Sequence, residues 1–137
     1  MGVKISGQYE SGLSMKMTHD MSGVAIRTDP PLDNGGKGES FSPSDLVATA
    51  TASCMMSVMA IAARKSGLDL SGMKCSVEKH MSSDLPRRII RLDIEIALPS
   101  HLNIDARRDL EHIGNTCPVI QSINPAIALN KIYRYEV

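Results

Sequence analysis

The sequence predicts an α+β fold in which helices cover one face of antiparallel sheet, and three observations carry that expectation. A long uncharged stretch, residues 42–67, has marked helix boundaries; residues 88–98 alternate apolar and charged side chains; and the segments run strands, helix, strands, helices, strand. At 137 residues the chain suits one domain, 1–137, large enough to bury a core without disulfides or structural metal.

Residues 3–9, 13–19 and 24–28 are short and rich in β-formers, with turn residues at 11–12 and 21–23, so they read as an antiparallel meander. Residues 29–40, DPPLDNGGKGES, are dense in Pro, Gly and Asn and predict an exposed loop. The long helix follows. Ser42 is a natural N-cap, Pro43 suits the first helical position, Asp45 completes a Ser-x-x-Asp capping box, and Gly67 after Arg64 and Lys65 marks the stop. Inside it Leu46, Ala50, Cys54 and Val58 recur every fourth residue and predict an apolar stripe. Small residues such as Thr49, Ala52, Ser53 and Ala60 leave room for close approach of backbone or a second subunit, and no face reads as fully solvated.

Beyond the helix, residues 73–81 alternate with Met73, Cys75 and Val77 inward, which makes Cys75 a core strand residue. In 88–98, Ile90, Leu92, Ile94, Ile96 and Leu98 oppose Arg91, Asp93 and Glu95, the pattern of a strand packed on one side and wet on the other. A second helix is expected over 104–113, a short helical turn starts at Cys117 with Thr116 as its cap, and 131–137 closes the chain as a strand.

Composition narrows the function. Fifteen basic residues balance fifteen acidic ones, so no global field steers the chain to nucleic acid or anionic lipid. With no tryptophan and one phenylalanine, the core must come from Ile, Leu, Val, Met and Ala, and nine methionines make it adaptable. The first ten residues carry no apolar signal core and three cysteines cannot all pair in one chain, so a reducing cytoplasm is the expected home. The uncharged run at 46–63 touches the lower length limit of a membrane span, roughly 17 to 18 residues, but is too rich in Thr, Ser and Ala to read as one.

Two cysteines sit where chemistry is available. Cys54 lies well inside its helix, beyond reach of the terminal dipole, so activation requires a neighbouring cation. Cys117 opens a helical turn, whose free backbone N–H groups favour a thiolate. Both also fit as small apolar core residues. A metal site from Cys54, Cys75 and Cys117 with His80 or His112 lacks any Cys-x-x-Cys or His-x-x-x-His spacing. Ser53 has no Gly-x-Ser-x-Gly elbow, and residues 34–38, NGGKG, lack the phosphate-loop pattern.

The order Ser-Pro-Ser-Asp-Leu, then Ala-Thr-Ala-Ser-Cys54, then Thr-Cys117-Pro-Val-Ile-Gln resembles the OsmC/Ohr superfamily, and the resemblance runs from about Val24 to the final Tyr-Glu-Val. It implies an OsmC-like fold: antiparallel sheets wrapped around long central helices in an intertwined homodimer. It implies a thiol peroxidase of oxidative stress defence, without cofactor or metal. Cys54 would reduce an organic hydroperoxide, Cys117 would close a disulfide with it, and a dithiol of lipoyl type would reopen that bond. Arg27 falls where some members carry the activating arginine, and Glu39 would orient it. Ser44 stands where well-known members have glutamate after the helix-start proline, which places the chain on a divergent branch. The alternative is a non-catalytic relative that holds a small molecule in the same dimer pocket.

Overall fold

The computed structural model describes residues 1–137, which divide into two units, 1–47 and 48–137. In the first, β1 (Ile5–Tyr9), β2 (Met15–His19) and β3 (Ala25–Thr28) form the expected antiparallel meander. Gly12 and Leu13 both take positive φ, 61° and 70°, to turn the chain between β1 and β2. The register puts Ile5, Tyr9, Met15, Met17 and Ile26 on one face of this sheet. That face is not buried: Ile5 is 59% exposed, Tyr9 62% and Ile26 47%. The loop after β3 is tied by the buried Asp29, whose carboxylate accepts from the backbone N–H of Lys37 (3.2 Å) and Glu39 (3.0 Å). Gly36 packs so closely on Pro30 that a side chain there would run into its carbonyl.

Helix α1 spans Pro43–Lys65 and starts with the expected reciprocal cap: Asp45 N–H donates to Ser42 Oγ (3.1 Å) and Ser42 N–H to Asp45 Oδ2 (2.8 Å). The buried stripe is not the one the four-residue repeat suggests. Ala48, Ala52, Met55, Met59 and Ala63 are buried, whereas Ala50 is exposed and Leu46, Cys54 and Val58 are only half-buried. A strict repeat of four drifts around a helix of 3.6 residues per turn; the observed spacing includes a step of three and stays on one side. A solvated face exists as well, with Ala50, Ser53, Ser57, Ala60 and Ile61 exposed.

The second unit continues with β4 (Lys74–Met81), β5 (Ile89–Leu98), α2 (Ile104–Asn115), α3 (Pro118–Ser122) and β6 (Ala128–Tyr135). The sheet has order β4-β5-β6; β4 pairs antiparallel with β5, but β6 pairs parallel to it. The fold is α+β as expected, with a mixed rather than wholly antiparallel second sheet. The reason lies in α2 and α3, which fill the connection between β5 and β6 and give the length that a parallel return needs. The inner face of β5, Leu92, Ile94, Ile96 and Leu98, joins Met55, Met59 and Leu110 in one core. Cys75 faces the same side as Ile96 yet is exposed, so its expected place in the core is corrected: it lies near the end of an edge strand. By length and apolarity α1 could cross a bilayer, but its inner stripe is committed to this core.

Candidate thiol site

Cys54 and Cys117 meet within the second unit. Cys54 is half-buried at the edge of the α1 core stripe; Cys117 is buried, 1% exposed, on the crossover between the parallel strands. The cap at this junction differs by one residue from expectation. Cys117 itself is the N-cap of α3, its Sγ accepting from Ile120 N–H at 3.5 Å with Pro118 following, while Thr116 closes α2 by donating to the His112 and Ile113 carbonyls.

Burial pushes the Cys117 thiol above its ordinary value; the Ile120 N–H pulls the other way, and the hydrogen-bonded, charge-coupled Cys54 side chain adds to the rise. The backbone donor anticipated from sequence is present, but desolvation outweighs it and the thiol form is favoured. Half-buried Met56, Val119 and Ile120 belong with Met55, Met59 and the two cysteines to one apolar, polarizable cluster.

Two tyrosines of β6 adjoin the site. Tyr133 donates to Asn115 Oδ1 at 2.6 Å, and Tyr135 donates to Glu111 Oε1 at 2.8 Å while the Arg107 guanidinium lies 4.2 Å above its ring. The Tyr133 phenol is pushed up to about 12 by burial first, then by the charges of Glu111 and Cys117. Neither tyrosine was singled out from sequence, where residues 131–137 offered only strand propensity.

Arg27 and Glu39 belong to the first unit and line a cleft of about 370 Å³ with Asp29, Lys37 and Ser40. Glu39 does not orient Arg27. Glu10 does, through a two-pronged pair of 2.7 Å (Nε to Oε2) and 3.2 Å (Nη2 to Oε1). The guanidinium bond, reinforced by charge, holds Glu10 below the ordinary carboxylate range. The register explains the pair: Gln8 pairs with Lys16 and Lys16 with Arg27, so Glu10, two residues beyond Gln8, shares their face.

Ligating atoms of Glu78, His80 and Asp93 lie within 4.8 Å of one another, a group that includes no cysteine. Their carboxylate and imidazole are already engaged: Asp93 accepts from Arg91 Nε (3.0 Å) and Asn130 Nδ2 (2.8 Å), and its Oδ2 lies 2.8 Å from His80 Nε2. Burial raises the Asp93 carboxyl, but these donors together outweigh it and hold it low. A cation would have to displace the Arg91 guanidinium.

Residues 36–130 match the family model described as OsmC-like protein, a span that takes in the end of the first unit and most of the second. A Psychrobacter arcticus protein named for osmotic stress induction and a detoxification response is 37% identical over 97% of each chain, with a TM-score of 0.90. The Legionella pneumophila organic hydroperoxide resistance protein OsmC shares the fold at 15% identity and a TM-score of 0.75, covering 98% of this chain and 97% of that one. The Bacillus subtilis organic hydroperoxide resistance protein OhrB does so at 14% identity and 0.69, over 98% of each. No curated protein matches the sequence.

Proposed function

The chain belongs to the OsmC-like family, and from that premise we propose that it is a cysteine-based peroxidase of the stress response, acting on organic hydroperoxides. The observation that carries the reading is the meeting of Cys54 and Cys117 in one apolar core. In the cycle, the Cys54 thiolate attacks the terminal peroxide oxygen; the O–O bond breaks, the alkoxide takes a proton and leaves as alcohol, and Cys54 becomes a sulfenic acid. The Cys117 thiol then attacks that sulfur, expelling water and forming the Cys54–Cys117 disulfide. An external dithiol, of lipoyl type, supplies the two electrons that restore both thiols.

Arg27, which pairs with Glu10 rather than Glu39, is the guanidinium assigned to favour the Cys54 thiolate. The two units form a single OsmC-like domain, and two copies make an intertwined homodimer. Support for the homodimer comes from the uncovered apolar face of β1–β3 and the exposed small-residue side of α1. The substrate class is alkyl or fatty-acid hydroperoxide, suited to the apolar cluster that holds the thiols, and the setting is the cytoplasm, where free thiols persist.

A second reading, a ligand-holding relative without turnover, is favoured by one observation: burial pushes the Cys117 thiol up and so disfavours its more reactive thiolate. Incubating reduced protein with cumene hydroperoxide and a dithiol separates the two. Peroxidase activity predicts turnover in wild type, loss of turnover in Cys54→Ser, and a trapped sulfenate in Cys117→Ser. Wild type consuming peroxide no faster than the doubly substituted protein rejects the enzyme in favour of the binder.

A further inference from the structure

We infer that Tyr133, through its hydrogen bond to Asn115, is a positioning residue that holds Cys117 where it can close a disulfide with Cys54; this rests on the thiol-pair reading of the site.

A disulfide tolerates little error, since the sulfurs must come to about 2.05 Å with a restricted torsion. Cys117 lies on a crossover, so its place must be fixed from outside its own short helix. The chain supplies such a fix. Tyr133 stands opposite the fully buried Ile96 in the β5–β6 ladder, which roots its ring in the core. Its hydroxyl reaches back 18 residues to Asn115, the last residue of α2. From there Cys117 is a closed turn away, its N–H donating to the Gly114 carbonyl at 3.3 Å.

Gly114 shows how tight this seat is. A methyl added there would lie 3.0 Å from Met59 Sδ and 3.3 Å from Tyr133 Oη. The end of α2 is thus wedged between the phenol and α1, and α1 also carries Cys54. One clamp therefore sets the distance between the helix bearing one thiol and the junction bearing the other. The phenol proton is committed to Asn115, and the raised pKa keeps it there through the neutral range. Tyr133 consequently acts through position, not as an acid toward peroxide.

The test uses the full chain and follows two steps after addition of cumene hydroperoxide: sulfenate formation, trapped with dimedone, and disulfide closure by quenched-flow mass spectrometry. In Tyr133→Phe, sulfenate formation stays within about twofold of wild type while closure slows about tenfold, the size expected from one lost buried hydrogen bond, and overoxidised Cys54 accumulates. Asn115→Leu has the same effect, and the double substitution is no slower than either alone. Tyr135→Phe, which loses the neighbouring bond to Glu111, leaves closure unchanged. Closure within about twofold of wild type in Tyr133→Phe, additive effects in the pair, or equal slowing by Tyr135→Phe would each overturn the inference. Should peroxide fail to oxidise Cys54 at all, the peroxidase reading fails alone. The clamp is then read with oxidised dithiothreitol, where the equilibrium constant for the Cys54–Cys117 bond falls about tenfold in Tyr133→Phe if it exists and is unchanged if it does not.

Discussion

The two sheets make an instructive pair. Each has three strands and an apolar face set by alternation, yet in β5 the inner residues Leu92, Ile94, Ile96 and Leu98 are at most 2% exposed, whereas Ile5, Tyr9 and Ile26 of the first sheet are about half exposed or more. Alternation creates a face; burial needs something to lie on it. The second sheet has α1 and α2 in its core, and the first sheet's face lies open. In the proposed homodimer, that open face is where the second copy contributes.

This contrast can be broken in steps of decreasing size. Ile96→Ala, in the closed core, should lower unfolding free energy by about 3 kcal/mol in urea titration, the usual cost of emptying such a site. Loss under about 1 kcal/mol would mean the second sheet is no better packed than the first. Ile26→Arg, on the open face, should leave the secondary structure intact but raise the dimer dissociation constant by at least about tenfold in sedimentation equilibrium. A wild type that sediments as a monomer at all concentrations removes the homodimer. Ser42→Ala deletes one arm of the α1 cap and should cost about 1 kcal/mol, rescued by Ser42→Thr.

The smallest effect is one of pH. The folded state raises the Tyr133 phenol from 10.0 to about 12, so the stability it lends is whole below pH 10 and is lost as pH rises through about 12. Between pH 9 and 10.5 the urea midpoint of wild type should fall more steeply than that of Tyr133→Phe, by less than about 1 kcal/mol in free energy. After burial, Glu111 and Cys117 are the titratable neighbours that raise the phenol. Parallel slopes would show that the ring is wet.

Much of the architecture was readable because its signals are local. The capping box of Ser42 and Asp45, the alternation of β5 and the meander of β1–β3 each depend on neighbours within a few residues, and each was found within two positions. The start of β6 at Ala128 was not, since Ala-Leu-Asn after Asn124-Pro125 has little strand propensity and is recruited by the parallel ladder. Parallel pairing, the exposure of Cys75 and the shifted stripe on α1 are all decided by tertiary cover. For the site, the residues themselves offered two cysteines of unequal setting. Their meeting was legible only through the family resemblance, and the partner of Arg27 is separated from it by 17 residues across the meander. Tyr133 carries no motif; its part depends on where β6 comes to rest.

That resting place has a consequence for when the thiols can react. Asp93 and Asn130 are joined across 37 positions, and such distant pairing closes slowly compared with a single helix. A nascent or half-denatured chain can coil the segment around Cys54 early, while the seat of Cys117 exists only once the last ladder has zipped. Oxidant met too soon would find a solitary sulfur, so in the proposed cycle the crossover would make the Cys54–Cys117 bond a certificate of finished assembly.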